Sequence, residues 1–155
     1  MARARPARAA GSPSGLAHCP RSRQRLNATS KSLDRWGVMQ LDHERLDVYD
    51  LALEFLVLAN GIIEGLPRGR SHLADQFTRA SLSIVLNLAE GAGKHSKLDK
   101  RRYYVTARGS ATESAALLDV CQRLKLLDEA GHRAAKGMLV RIVSMLIKLA
   151  QSCEE

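Results

Sequence analysis

The chain has 155 residues, which is long enough for one domain with a hydrophobic core. Hydrophobic residues make up 45% of it and aromatic residues only 4%, a balance that favours helices with an aliphatic core over a sheet. No uninterrupted apolar run reaches about 18 residues, so no transmembrane span is predicted.

Residues 1–40 form a basic N-terminal arm. They carry eight Arg and Lys against one acidic residue, a balance of 8 − 1 = +7, so residues 41–155 contribute only +1 to the total of +8. The arm is rich in Arg, Ala, Ser, Pro and Gly and has no apolar period, which predicts disorder. Three interpretations stay open: a tail that contacts nucleic acid, an organelle transit peptide, or untranslated sequence upstream of a start at Met39.

The first predicted helix spans Asp42 to Glu64, where Gly65 and Pro67 end it. Apolar residues cover most of its circumference, which indicates packing against more than one neighbour. The remaining face is largely acidic and consists of Asp47, Asp50, Glu54, Val57, Gly61 and Glu64. Residues 41–155 are predicted to form the folded domain.

The second predicted helix spans Ser71 to Glu90, with Ser71 as its cap. Apolar residues at helical spacing include Leu82, Val85 and Leu86, with Ile84 and Leu88 widening that face. Gly91 and Gly93 are then predicted to stop the helix, since glycine takes the left-handed conformation easily.

Residues 91–94, Gly-Ala-Gly-Lys, do not form a phosphate-binding loop. Such a loop needs a glycine where Leu88 stands and a Ser or Thr where His95 stands. It also follows a strand, whereas these residues follow a predicted helix. A helix end with a tight turn is the favoured interpretation.

The third predicted helix spans Ser96 to Leu126, with Ser96 as its cap and Asp99 at the capping-box position. Its beginning is strongly basic, and we call residues Lys94–Arg108 the basic segment. This segment has six basic residues and one acid, a net charge of 6 − 1 = +5. The basic residues are candidate contacts to nucleic-acid phosphates: Lys94, Lys97, Lys100, Arg101, Arg102 and Arg108.

The fourth predicted helix spans Glu129 to Ser152, with Asp128 as its cap. Four helices of similar length joined by short loops predict an all-α fold, an antiparallel up-down-up-down four-helix bundle. Cys19, Cys121 and Cys153 are too scattered for a disulfide framework or a metal site. We therefore expect a reduced, cytoplasmic protein without a cofactor.

Two motifs resemble a known family. Asn-Leu-Ala-Glu-Gly-Ala-Gly at residues 87–93, followed by Ala-Arg-Gly-Ser at residues 107–110, is similar to the bacterial four helix bundle proteins, also called 23S ribosomal RNA intervening-sequence proteins. The similarity runs from about Leu46 to Leu149. The motif positions are Glu90, Gly91, Gly93, Lys94, Arg108, Ser110 and Glu113, with Lys94 standing where Arg is common in the family.

The resemblance implies a four-helix bundle assembled as a homopentameric ring. One branch of the family, the accessory variability determinant of diversity-generating retroelements, binds nucleic acid and a reverse transcriptase through basic surface. Other members are encoded within intervening sequences of ribosomal RNA genes. The same kinds of partner are therefore expected for this chain.

Several residues have two interpretations. Glu90 and Arg108 are expected either to pair with each other, fixing the turn against helix three, or to form part of a subunit contact. Tyr103 and Tyr104 are candidates for stacking on bases, but covering the end of the bundle is favoured.

We therefore expect a non-enzymatic, oligomeric protein that binds RNA or an RNA–DNA species through the basic segment. The alternative is a protein–protein scaffold, in which the basic segment meets the acidic face of helix one on the next subunit of a ring. An enzyme ranks third, because no nucleophile with a base and no metal-ligand spacing is present in the sequence.

Overall fold

The structure is a computed structural model, and it describes residues 40–154. The predictions for the N-terminal arm, including the alternative start at Met39 and the isolated Cys19, lie outside the described residues.

Four α-helices account for most of the described chain. They are α1 (Asp47–Glu64), α2 (Ser71–Ala92), α3 (Lys97–Arg123) and α4 (Glu129–Gln151), and a short 3-10 helix (Asp42–Arg45) precedes α1. Residues 40–154 contain no β-strand. The prediction of an all-α protein with four helices is confirmed.

Two of the predicted helix caps are confirmed. The Ser96 hydroxyl accepts a hydrogen bond from the Asp99 amide at 3.4 Å, and Asp128 Oδ1 accepts one from the Gly131 amide at 2.8 Å. Each cap satisfies an amide that the first turn of its helix leaves without a partner.

The beginnings of the first two helices were predicted less well. Extended backbone at Leu46 (φ −97°, ψ 112°) separates the 3-10 helix from α1, so helix one does not run unbroken from Asp42. At α2 the cap position belongs to Arg70, whose side chain makes no capping hydrogen bond, and Ser71 is already helical.

The ends of α2 and α3 also differ from the prediction. Gly91 lies inside α2, and Gly93 caps that helix with a right-handed φ of −76°, so the left-handed conformation was wrongly predicted there. Helix α3 ends at Arg123 instead of Leu126, because Lys125 adopts φ +57°. The Leu126 amide then bonds back to the Cys121 carbonyl at 2.9 Å, as in a Schellman helix end.

All four helices contribute to a single core. Helix α2 packs on α1 and α3, and α4 packs on α3 and α1, so each helix has two neighbours. The largest fully buried side chains come from every helix: Phe55, Phe77, Ile84, Leu88, Leu118, Leu139, Ile142 and Leu146.

Not every residue on the predicted apolar face of helix two is buried. Leu82 and Leu86 are 40% and 56% exposed, whereas Ile84, Val85 and Leu88 are buried. Among residues 40–154, none of the helices combines the length and apolar character that a membrane crossing requires. That part of the chain also holds no group of three or more potential metal-ligating side chains.

Candidate nucleic-acid interface and the α2–α3 contact

Small polar residues line the contact between α2 and α3. The hydroxyls of Ser83 and Ser110 share a hydrogen bond of 2.9 Å across the two helices. Asn87 Nδ2 adds donations to the carbonyl of Ser83 at 2.8 Å and to its hydroxyl at 3.0 Å. Because these side chains are short and paired with each other, the two helices approach closely without unsatisfied polar atoms.

Gly91 permits the closest approach of this contact. A Cβ atom placed on Gly91 would lie 2.9 Å from Tyr103 Cβ and 2.9 Å from Tyr104 Cε1, which is shorter than a normal carbon–carbon contact. The packing of α2 on α3 therefore requires glycine at position 91 because glycine has no side chain, not because it can adopt a left-handed backbone conformation.

The two tyrosines are packed against the bundle. Tyr104 is only 4% exposed and belongs to the core, and burial raises the pKa of its phenol. Tyr103 is partly buried and lies beside Gly91. Tyr104 is thus unavailable for stacking on a base, in agreement with the favoured interpretation that these residues cover the bundle.

Glu90 pairs with Lys94, not with Arg108. Lys94 Nζ lies 3.2 Å from Glu90 Oε1 and 4.9 Å from the centroid of the Tyr103 ring. Hydrogen bonds from Tyr103 and from Lys94 hold the pKa of Glu90 below its usual value. Glu90 therefore ties the end of α2 to the chain that leads into α3.

Most of the motif residues meet at this contact. Toward the other end of the helix pair, Gln76 Nε2 donates to Glu113 Oε1 at 2.5 Å, so Glu113 lies on the same side of α3 as Ser110. Glu90, Gly91, Ser110 and Glu113 thus all contribute to the packing of α2 against α3. Gly93 is exposed and lies at the helix end.

The basic segment is only partly neutralised. Arg101 donates from Nε to Glu154 Oε1 at 2.6 Å, and its Nη2 lies 2.6 Å from the same oxygen. Lys94 is paired with Glu90. Counting the carboxylates of Glu90 and Glu154 lowers the net charge of the basic segment from +5 to 5 − 2 = +3. Within residues 40–154 no carboxylate pairs with the other four cations: Lys97, Lys100, Arg102 and Arg108.

A cleft of about 450 Å³ lies along the same segment, and all the residues that line it belong to α3. Leu98, in the first turn of α3, is 74% exposed. Sequence reasoning did not identify this apolar side chain among the cations. The cleft is lined by Leu98, Asp99, Arg101, Arg102, Val105 and Thr106.

A second surface, on α1, has the opposite charge. Asp47, Asp50, Glu54 and Glu64 are exposed there, as predicted, together with Val57, which is 74% exposed. No cation of residues 40–154 forms a salt bridge with these four acids. An apolar groove beside them is lined by Val57, Leu58, Gly61, Ile62, Gly65, Leu126 and Leu127.

A cluster that the sequence did not suggest joins α3 to α4. Asp119 Oδ1 lies 2.8 Å from His132 Nε2, and Asp119 Oδ2 lies 2.5 Å from Lys136 Nζ. The hydrogen bonds from Lys136 and then His132 lower the pKa of Asp119. Lys136 also donates to the Ala115 carbonyl at 3.3 Å, so the cluster has an evident role in packing.

The comparisons with known proteins agree with this architecture. The family model described as 23S rRNA-intervening sequence protein matches residues 44–148. A solved structure from Bacteroides thetaiotaomicron VPI-5482, described as a protein with unknown function from the S23 ribosomal protein family, superposes with a TM-score of 0.63. It is 22% identical, and the match covers 66% of this chain and 97% of that one, which shows the fold alone. No curated protein matches the sequence.

Proposed function

The chain belongs to the 23S rRNA-intervening sequence protein family, and from that premise we propose that it is a non-enzymatic, oligomeric helical bundle that binds nucleic acid through the basic segment. The proposed ligand is RNA or an RNA–DNA species. By resemblance, its role is that of an accessory factor to a reverse transcriptase or to a ribosomal RNA intervening sequence.

One observation carries this proposal: Lys97, Lys100 and Arg102 lie within six residues at the start of a rigid helix, without carboxylate partners among residues 40–154. Phosphate contacts need positive charge at fixed positions and no base-reading motif. The beginning of α3 is held in place by the Ser96 cap and by the packing of Tyr104, so its cations are displayed on an ordered surface.

For the architecture we propose an up-down-up-down order of helices. Gln76 near the beginning of α2 meets Glu113 in the second half of α3, whereas Gly91 at the end of α2 meets Tyr103 near the beginning of α3. These two contacts favour an antiparallel pair. A homopentameric ring is proposed from the family resemblance.

The experiment that tests nucleic-acid binding reverses the charge of the segment. Replacing Lys97, Lys100, Arg101 and Arg102 together with Glu should abolish a salt-sensitive gel shift of single-stranded RNA, because the phosphates would then meet repulsive charge. The matched control reverses four exposed cations elsewhere, Arg68, Arg123, Lys125 and Arg141. Since both variants change the net charge equally, equal losses of binding would count against the basic segment as the site.

A protein–protein scaffold is the second candidate, and the exposed acidic face of α1 supports it. Asp47, Asp50 and Glu54 offer a surface complementary to the basic segment of another copy, next to the apolar groove at Val57 and Gly61. Such a head-to-tail contact closes rings. Light scattering at micromolar concentration in low salt tests it: a ring is expected, and a monomer would contradict it.

We also propose that the protein acts without catalysis and in the cytoplasm. Glu90 and Asp119 are both exposed and are each paired with a cation, Glu90 with Lys94 just beyond the end of α2 and Asp119 with Lys136 on α4. The geometry of both ion pairs is explained by packing of the bundle, which supports a binding role over a chemical one.

A further inference from the structure

We propose that the cleft along the basic segment is a subsite for one nucleobase, so that the protein prefers single-stranded over double-stranded nucleic acid. The inference rests on the proposed nucleic-acid binding and deepens it. It assigns a role to Leu98, which phosphate binding by itself does not use.

Leu98 is the first reason. It is 74% exposed in the first turn of α3, between Lys97 and Asp99, and it lies outside the hydrophobic core. Val105 is two turns further along the same face of the helix and packs in part against the core. Leu98 therefore gives the cleft its exposed apolar wall, and water is a poor partner for such a wall compared with the flat face of a base.

The arginines are the second reason. Arg101 uses Nε and Nη2 on Glu154, which fixes the orientation of its guanidinium and leaves the other terminal nitrogen free for a phosphate. Arg102 is exposed and makes no salt bridge among residues 40–154, so its guanidinium is free for a second phosphate contact.

The one acid of the cleft determines how a nucleotide is oriented there. Asp99 is exposed, and its carboxylate disfavours a phosphate on the side of the cleft that it occupies. A nucleotide is therefore held with its phosphate toward the arginines and its base against Leu98. This arrangement requires an unstacked base, which a duplex does not offer without the cost of base flipping.

The test measures fluorescence anisotropy of the full chain with a single-stranded oligonucleotide of about 15 nucleotides and with a duplex of the same length. Leu98→Ala is expected to weaken single-strand binding roughly three- to tenfold and to leave duplex binding unchanged. The slope of affinity against salt should also stay the same, because no charge is removed. Leu98→Phe is expected to tighten single-strand binding, since an aromatic ring stacks better than an aliphatic side chain.

The matched control is Leu86→Ala on α2, which removes a side chain of the same size and is 56% exposed. It should bind both oligonucleotides as the parent chain does. Absence of any binding by the parent chain in low salt would overturn both this inference and the proposed function. If the parent chain binds single strands and duplexes equally and Leu98→Ala changes neither, the inference is wrong while nucleic-acid binding stands.

Discussion

Two parts of α3 differ in what they contact. Along the contact with α2, Ser110 and Glu113 are paired with residues of α2, and Tyr103 lies against Gly91. In the first two turns of α3, Leu98 and Arg102 are exposed, and Arg102 forms no salt bridge within residues 40–154. Of the motif residues, Gly91, Ser110 and Glu113 therefore hold α2 against α3, whereas Leu98 and Arg102 stay available for the binding that we propose.

This difference separates two kinds of substitution. Changes at the α2–α3 contact should lower the free energy of unfolding and leave the affinity of the folded protein for nucleic acid unaltered. Changes at the exposed residues of the first two turns of α3 should do the reverse, because exposed charged residues contribute little to stability.

The largest effect is expected from Gly91→Ala. The new Cβ would lie 2.9 Å from two tyrosine carbons, so α2 and α3 must move apart, and we expect a loss of about 2 kcal/mol in the free energy of unfolding. Urea denaturation measures it. The control is Gly109→Ala, where a Cβ meets nothing within 4 Å. That change should stabilise the helix by about 0.5–1 kcal/mol, and equal destabilisation by both would refute the packing role of Gly91.

A smaller loss is expected from Ser110→Ala. It removes the 2.9 Å hydrogen bond to Ser83 and should cost about 1 kcal/mol. A double-mutant cycle with Ser83→Ala measures the coupling between the two hydroxyls. Strict additivity would mean that this hydrogen bond does not join the helices energetically.

The Asp119 cluster predicts that the stability of the protein depends modestly on pH. In the folded protein the pKa of Asp119 is lowered below the usual 3.8. The stabilisation that its carboxylate provides is therefore complete above that value and is lost as the pH falls through the folded pKa. Because its side chain is 51% exposed, we expect only about 0.5 kcal/mol. Comparing the unfolding of Asp119→Asn and the parent chain at pH 6 and at pH 2.5 measures it. The difference in free energy of unfolding between the variant and the parent chain should be smaller at the lower pH. A difference that stays the same would mean that the substitution disturbs packing instead of removing a charge.

The smallest effect concerns Glu154, which neutralises Arg101. Glu154→Gln restores one positive charge to the basic segment and should tighten binding of single-stranded RNA by up to roughly twofold in low salt. Fluorescence anisotropy measures it. Glu129→Gln is the control, since Glu129 pairs with Arg133 on α4, away from the basic segment. Weaker binding by Glu154→Gln would show that fixing Arg101 matters more than the added charge.

The features that were predicted correctly from the sequence depend on neighbouring residues of a single helix. The caps at Ser96 and Asp128 and the exposed acids of α1 depend on spacing along one helix, and the structure has them as predicted. Partners on other elements were not predictable in the same way. Glu90 was expected either to pair with Arg108 or to form part of a subunit contact, and within residues 40–154 it pairs with Lys94 at the turn instead of with Arg108.

The spacing of apolar residues likewise did not show which of them are buried. It placed Leu82, Val85 and Leu86 on one face of helix two, but that face is wider than the area its neighbours cover. Only the packing angle of α2 decides that Val85 is buried while Leu86 remains 56% exposed. The cleft was missed for the same reason, since Leu98 was read as part of a basic segment and its exposure depends on the neighbours of α3.

The most direct test of the account is the salt dependence of nucleic-acid binding by the variant in which Lys97, Lys100 and Arg102 are all replaced with Gln. Each lost phosphate contact should reduce the slope of log affinity against log salt by about 0.7 for a single strand, so a total reduction of about 2 is predicted, at unchanged stability. An unchanged slope would contradict the account, because it would mean that the exposed beginning of α3 is not where the phosphates bind.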